Sequence, residues 1–296
     1  VKQMDANAFA GCKKLSNITL SENCDIIDES VFKDCSSLAS IKIPNTVKYI
    51  RASAFENSGL KEITLPESVQ LIEDAAFKNS ALEKAVVSDN ITRIGREAFA
   101  SCAALTQISL GKKLEEIGNN AFANCDALPG IAIPDSVKVI GTHIFEECDV
   151  LTDVKLGTGL TTIPSYAFHG CVELPKIELP YRITTVKDHA FTNCVKLLSI
   201  TVPRATASID ETAFSYPGSM TMYGVSGTYA ETYAKKMGMN FVKQEKKAVK
   251  VTLSQTELTL ARGAKGMLQI SVEPADFTDE VAWKSADPSV AEVSSD

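Results

Sequence analysis

The chain is poor in the residues that most catalytic and metal-binding sites need. Its 296 residues include three histidines and one tryptophan, and aromatic residues make up 7% of the whole. It has no C-x-x-C pair, which leaves a zinc site without support, and it has no glycine-rich phosphate loop. No apolar run approaches the roughly 18 residues of a membrane span, so we expect no direct membrane insertion by this segment.

Positively charged residues are also fewer than negatively charged ones. The sequence has 30 lysine and arginine residues against 37 aspartate and glutamate residues, which gives a formal net charge of −7. Such a chain is a poor match for the phosphates of a nucleic acid or of an anionic membrane. The composition therefore predicts that nucleic acid is not a partner.

One residue type recurs at an almost constant spacing. Successive phenylalanines are 22 or 23 residues apart, at Phe9, Phe32, Phe55, Phe77, Phe99, Phe122, Phe145, Phe168, Phe191 and Phe214. A fixed period in this range is typical of a solenoid, in which each repeat packs on its neighbours. Because such arrays present extended binding surfaces, the period predicts a binding protein rather than an enzyme.

Residues 122–145 illustrate the repeating unit. Leu128, Ile131 and Ile133 form an L-x-x-I-x-I block, whose alternation is typical of a strand with one buried face, and Pro134 ends that strand. A second short extended segment follows, and we expect one helical turn at the Ala-Phe corner. The predicted fold class is a repeat solenoid with parallel β-strands, short turns and 3-10 segments.

The cysteines follow the same period. Seven of the eight lie three residues after a repeat phenylalanine, and Cys24 takes an inward position that valine holds elsewhere. Stacked inward thiols behave as small hydrophobic groups. Disulfides are the alternative, since adjacent repeats satisfy the Cα separation, but parallel Cβ vectors disfavour the bond. We therefore expect free, buried thiols.

The period ends after Phe214, which predicts an array over residues 1–214. Residues 215–241 are interpreted as its C-terminal cap, where Thr228 and Glu231 form a capping box ahead of a helix.

The pattern changes again beyond the cap. Residues 242–248 are charged and are interpreted as a linker. Residues 249–296 show period-2 alternation, turn residues and the single tryptophan, Trp283, which predicts the N-terminal part of an Ig-like β-sandwich.

Two segments resemble known families. LTQISLGKKLEEIGNNAFANC and its counterparts over residues 1–214 resemble the BspA-like leucine-rich repeats of bacterial surface proteins. VTLSQTELTLARGAKGMLQISVEPADFTDEVAWKSADPSVAEV resembles the start of a group 2 bacterial Ig-like domain. The pairing implies an extracellular or cell-surface anchored bacterial protein. It also implies adhesion to host matrix proteins or to other cell-surface proteins.

The candidate binding site lies on the first strand of each repeat. Side chains that alternate with the buried ones should form two columns on the concave face, and Asp153, Lys155, Lys176 and Glu178 cluster there in the middle of the array. Opposite charges at this place can steer a protein partner. A solvated ion-pair surface of little energetic consequence is the alternative. The columns carry no aromatic stripe for stacking on sugars and no basic track.

The histidines do not form a catalytic or metal-binding pattern. His143 and His189 are two repeats apart, about 10 Å if strands stack at their usual spacing, which is too far for shared coordination. His169 follows a repeat phenylalanine, and no nucleophile is paired with it by a known motif. The sequence therefore predicts no catalytic residue, no cofactor and no metal.

Three functions are compatible with these features. The first is an adhesion module that binds proteins through the concave face. The second is a structural stalk, and the third is a targeting module of a larger secreted protein such as a wall- or glycan-active enzyme. Because Val1 and Met4 occupy positions inside a repeat, we expect the chain to be part of a longer protein.

Overall fold

A computed structural model describes residues 4–245, 250–254, 264–273 and 285. The chain divides into two compact units, Val1–Val242 and Lys243–Asp296. The predicted domain boundaries remain a prediction, because the linker and most of the Ig-like segment lie largely outside the described residues.

The first unit is a solenoid, as the period predicts, and each repeat forms one coil of it. A complete coil has a long strand, a short strand and a corner that carries the phenylalanine. The long strands are β3 (Glu62–Thr64), β5 (Lys84–Val86), β7 (Gln107–Ser109), β9 (Gly130–Ala132), β11 (Asp153–Lys155), β13 (Lys176–Glu178), β15 (Ser199–Thr201) and β17 (Thr221–Gly224). The short strands are β1 (Ile26–Ile27), β2 (Tyr49–Ile50), β4 (Leu71–Ile72), β6 (Arg93–Ile94), β8 (Glu116–Ile117), β10 (Val139–Ile140), β12 (Thr162–Ile163), β14 (Thr185–Val186) and β16 (Ser208–Ile209).

Neighbouring coils pair in parallel and in register. Ile63 lies opposite Ala85, and Ala85 lies opposite Ile108, so equivalent residues of successive repeats stack directly on one another. The central residue of each long strand points inward, and its two neighbours point outward. The sequence segments 17–19 and 40–42 occupy the equivalent places without forming strands.

Three prolines coincide with the three places where strand pairing stops. The long-strand sheet is divided between β7 and β9 and again between β11 and β13, and the short-strand sheet is divided between β10 and β12. Pro129 and Pro175 immediately precede β9 and β13, and Pro164 immediately follows β12. Proline has no N–H to donate, so each one removes a bond to the preceding coil.

The corner is not helical, so the predicted helical turn is wrong. From Phe9 to Phe191, the residues two positions before and after each repeat phenylalanine have positive φ, as at Asn120 (56°) and Asn124 (57°) around Phe122. Because φ changes sign along the corner, the backbone N–H groups point along the solenoid axis. Phe122 N donates to Ile144 O of the next coil at 3.0 Å, where a helix would keep the bond within the segment. Asparagine is frequent at these positions because it tolerates left-handed backbone.

The phenylalanine rings form one continuous stack inside the corner. All nine successive pairs have ring centroids 5.1 to 5.8 Å apart. The rings from Phe32 to Phe191 are fully buried, whereas Phe9 is half-buried. The stack runs beside the inward leucines and isoleucines of the strands, and together they form a single core.

All eight cysteines are free and seven are buried, which confirms the predicted burial for those seven. Each buried thiol at the corner donates to the phenylalanine carbonyl of the preceding coil, as Cys148 Sγ does to Phe122 O at 3.1 Å. Cys12 is exposed, so its predicted burial is wrong. It lies in the first coil of the described array, where no earlier coil packs over it.

The end of the array has its own elements. A 3-10 helix, Pro217–Ser219, precedes β17, and the helix α1, Tyr229–Lys236, buries Ala230, Tyr233 and Ala234. The strand β18 (Asn240–Lys243) then extends the long-strand sheet beside β17.

The predicted capping box at the start of α1 forms only in part. Thr228 is the N-cap residue, but its hydroxyl donates to Val225 O at 2.6 Å instead of accepting from the helix. Glu231 does reach back, and its carboxylate accepts from the N–H of Gly227 at 2.7 Å.

In the second unit, β19 (Lys250–Leu253) pairs antiparallel with β20 (Ile270–Glu273). Val251 lies opposite Val272, in agreement with the period-2 pattern of the sequence. This small sheet is consistent with the start of the predicted β-sandwich. Trp283 lies outside the described residues.

Candidate functional site

The outward side chains of the long strands form the long-strand face, which corresponds to the predicted concave face. Asp153 and Lys155 stand on β11, and Lys176 and Glu178 stand on β13 of the next coil, all four exposed. We call these four residues the charged patch. Val154 on β11 points inward and directs its two neighbours outward. The structure therefore places the four predicted residues on one face of two successive coils.

Small side chains border the charged patch on both sides. Gly130 and Ala132 stand on β9, next to β11, and Ser199 and Thr201 stand on β15, next to β13. None of these four reaches as far as a lysine or a glutamate side chain. The charged groups are therefore the most prominent feature of this part of the long-strand face.

Three groups of the charged patch have no side-chain bond within the described part of the chain. Asp153, Lys155 and Lys176 form no hydrogen bond or ion pair through their side chains there. On β3 and β5 the corresponding arrangement does pair, since Glu62 and Lys84 approach to 3.8 Å. The charged patch can therefore form charge-assisted hydrogen bonds with another molecule without first breaking internal ones.

Lys155 also acts on a carboxylate of the previous coil. The pKa of Asp135 lies below its usual range mainly because the backbone N–H and the hydroxyl of Thr158 donate to it, and Lys155 adds a smaller favourable charge interaction. Asp135 therefore stays ionised at neutral pH, and it brings a further negative charge near the charged patch.

The three histidines gather at one corner, an arrangement that their spacing in the sequence does not predict. His143 and His189 stack on opposite faces of the Tyr166 ring, with centroid distances of 4.6 and 4.7 Å. His169 meets the same ring edge-on at 5.5 Å, and its Nδ1 lies 2.6 Å from Thr192 Oγ1. His143, Tyr166 and His189 each lie two residues before a repeat phenylalanine. This shared position is the signal in the sequence that their rings stack.

This cluster is a packing arrangement rather than a metal centre. Tyr166 separates the two stacked imidazoles, and the described residues contain no group of three or more His, Cys, Asp or Glu side chains arranged to hold a metal. The carboxylate of Glu147 lies 3.6 Å from His169 Nε2.

A separate shallow groove of about 470 Å³ lies on the N-terminal coils. Its lining is polar and includes Asn23, Asn45, Lys48, Glu67 and Gln70. None of the residues of the charged patch contributes to it. The repeat pattern does not predict this groove, because the amides that line it are dispersed over four repeats.

Two family models match the chain. The model described as BspA type leucine rich repeat region, in six copies, matches residues 1–106 and 92–221. The model described as bacterial Ig-like domain (group 2) matches residues 248–296. Both resemblances inferred from the sequence are therefore confirmed. Leucine-rich repeat and Ig-like domains are typically non-catalytic, and leucine-rich repeat domains generally mediate protein–protein interactions.

Several solved structures are similar to this chain. A leucine-rich repeat protein from Bacteroides ovatus is 24% identical, with a TM-score of 0.45 over 83% of this chain and 82% of that one. A leucine rich cell surface protein from Faecalibacterium prausnitzii is 29% identical, with a TM-score of 0.48 over 79% and 72%. A leucine-rich repeat protein of T. pallidum is 27% identical, with a TM-score of 0.47 over 61% and 85%. No curated protein is similar enough to match.

Within the described ranges, no helix combines the length and the apolar character that crossing a bilayer requires.

Proposed function

This chain belongs to the BspA type leucine-rich repeat family, and we propose that it is a protein-binding module of a bacterial surface or secreted protein. The long-strand face is the binding surface in this proposal. The array provides the series of coils that carries this face, and the Ig-like segment follows it in the sequence.

The observation that carries the proposal is the charged patch. It presents two carboxylates and two ammonium groups on adjacent coils, and the side chains of Asp153, Lys155 and Lys176 form no bond with any other residue that the structure describes. Charges of both signs at one place favour a partner with a complementary pattern of charges, and folded proteins supply such patterns. Long-range attraction of this kind mainly raises the association rate.

The chemistry of the long-strand face favours a protein over other ligands. From β3 to β15 its outward residues include no aromatic ring on which a sugar or a base could stack, and Tyr223 on β17 lies opposite Thr201 at the C-terminal end of the face. The chain carries a net negative charge of −7. The partner that we propose is a host matrix protein or another cell-surface protein, and the role is adhesion.

The test is a pair of charge reversals in the charged patch. The unmodified chain and the variant Lys155→Glu/Lys176→Glu would be measured by surface plasmon resonance against purified matrix proteins and cell-surface proteins. We expect at least one partner whose affinity falls about tenfold or more in the variant, mainly through slower association.

The matched control is Lys112→Glu/Lys138→Glu, which changes the net charge equally. Lys112 and Lys138 are exposed on the same array but stand outside the long strands. Binding should survive in the control. An equal loss in both variants would indicate a general charge effect, and unchanged binding in both would exclude the long-strand face as the site.

A further inference from the structure

Three ladders of backbone hydrogen bonds join successive coils: one along the long strands, one along the short strands and one along the corners. Two prolines interrupt the short-strand ladder and the long-strand ladder at successive places along the chain. Between residues 139–155 and the coil above them, residues 162–178, neither β10 and β12 nor β11 and β13 are paired. We call this interface the joint.

The missing bonds have identified causes. Gly141 N donates to Ile117 O at 2.8 Å and Lys187 N donates to Ile163 O at 3.0 Å, but Pro164 holds the same position in the coil between them and has no N–H. In the long-strand ladder, Leu198 N donates to Pro175 O at 2.9 Å. Pro175 itself cannot make the equivalent bond to its own preceding coil.

The joint differs from the other interruption that a proline causes. Pro129 separates β7 from β9, but the short strands on either side of that break remain paired, because β8 pairs with β10. Among the described coils from β1 onward, the joint is the place where two successive strand ladders are both absent.

The corner ladder continues across the joint. His143 N donates to Ser165 O at 3.1 Å, and Phe145 N donates to Ala167 O at 2.9 Å. The rings of Phe145 and Phe168 meet there at an interplanar angle of 26°, the largest in the phenylalanine stack, whereas Phe168 and Phe191 in the next coil meet at 2°. The side of the solenoid that keeps its bonds is therefore a natural hinge line.

The charged patch straddles the joint. Asp153 and Lys155 stand on one side, and Lys176 and Glu178 stand on the other. Asp153 and Lys176 occupy the same outward column with opposite charges, yet they form no ion pair with each other. A pair in the same kind of column does form across the bonded strands β3 and β5, between Glu62 and Lys84.

We propose that the joint is a flexible connection between two stiffer parts of the array and that a protein partner bound to the charged patch bridges and stiffens it. The second half of this proposal rests on the proposed function. The partner that fits is a protein segment that offers a basic group to Asp153 and an acidic group to Lys155 or Lys176, because it would then contact both coils at once. Such binding orders the joint and therefore carries an entropic cost, which the contacts made on both coils must exceed.

Hydrogen exchange followed by mass spectrometry tests the joint in the full chain without a partner. We expect peptides that cover residues 156–164 and 174–178 to exchange about tenfold or more faster than peptides at 110–118 and 183–188, which belong to bonded ladders. The double variant Pro164→Ala/Pro175→Ala restores two donors, and exchange at the joint should slow toward that of the bonded ladders.

Pro180→Ala serves as the control, because Pro180 follows its long strand and does not occupy the donor position of either ladder. It should leave exchange at the joint unchanged.

Equal exchange rates at the joint and in the bonded ladders would overturn the flexible joint, whatever the chain binds. If exchange at the joint is fast but a partner binds the Lys155→Glu/Lys176→Glu variant normally, the flexible joint would stand and the proposed function would be rejected. A partner that needs the charged patch but leaves exchange at the joint unchanged would reject the bridging.

Discussion

Phe122→Ala is expected to destabilise the array by an amount near the upper end of the about 3–5 kcal/mol that buried phenylalanine truncations cost. Phe122 is fully buried and stacks on Phe99 at 5.5 Å and on Phe145 at 5.8 Å. Its removal leaves a cavity in the middle of the stack and weakens both interfaces at once, because each coil is stabilised by its neighbours. Urea unfolding monitored by circular dichroism measures the change.

Phe9→Ala is the matched control. Phe9 is half-buried and stacks on a single ring, that of Phe32 at 5.7 Å. The same truncation there should cost less than half as much. Equal losses in the two variants would mean that the rings do not cooperate through neighbouring coils.

Alkaline pH should destabilise the protein steeply, starting near pH 9. Burial raises the pKa of Cys102 to about 11 and the pKa of Cys148 and Cys194 to about 12, and it raises those of Cys125 and Cys171 well above the usual range. In the unfolded chain a thiol titrates near pH 8.5. Between these limits the unfolded state loses protons that the folded state keeps, so the free energy of unfolding falls as pH rises. Each thiol contributes about 1.4 kcal/mol per pH unit, so five give a slope of about 7 kcal/mol per unit.

The measurement is the urea midpoint between pH 7 and pH 10.5, a window set by the unfolded-state pKa of about 8.5 and the raised folded-state values. Cys148→Ala should reduce the slope by about one proton, because the Cys148 thiol is buried. A midpoint that stays constant up to pH 10 would show that the thiols are not enclosed in the folded protein.

The sequence predicted the solenoid well, because the features that specify it are short-range and repeated. The spacing of the phenylalanines identified the stack, and the L-x-x-I-x-I block identified residues such as Leu128 and Ile131 as inward. The corner was predicted wrongly, since apolar periodicity does not report the sign of φ. Asn120 and Asn124 were the available signal, because asparagine tolerates left-handed backbone better than most residues.

The candidate site was predictable only in part. Outward alternation identified the four residues of the charged patch, because neighbouring strands stack in register. Whether Asp153 pairs with Lys176 depends on how two coils meet, and that depends on Pro164 and Pro175, whose positions in a ladder are known only from the structure. The same limit applies to Tyr166, which separates two histidines that the sequence analysis judged only by their distance.

Thiol labelling of the native protein tests most directly whether the coils share one closed interior. The folded chain would be treated with iodoacetamide without reductant, and each cysteine would be followed by peptide mass spectrometry. We expect Cys12 to react quickly, and Cys102, Cys125, Cys148, Cys171 and Cys194 to react only after unfolding in urea, when all eight thiols become modified. Rapid labelling of those five thiols in the folded protein, or disulfides that leave some cysteines unmodified after unfolding, would contradict the stacked, enclosed core.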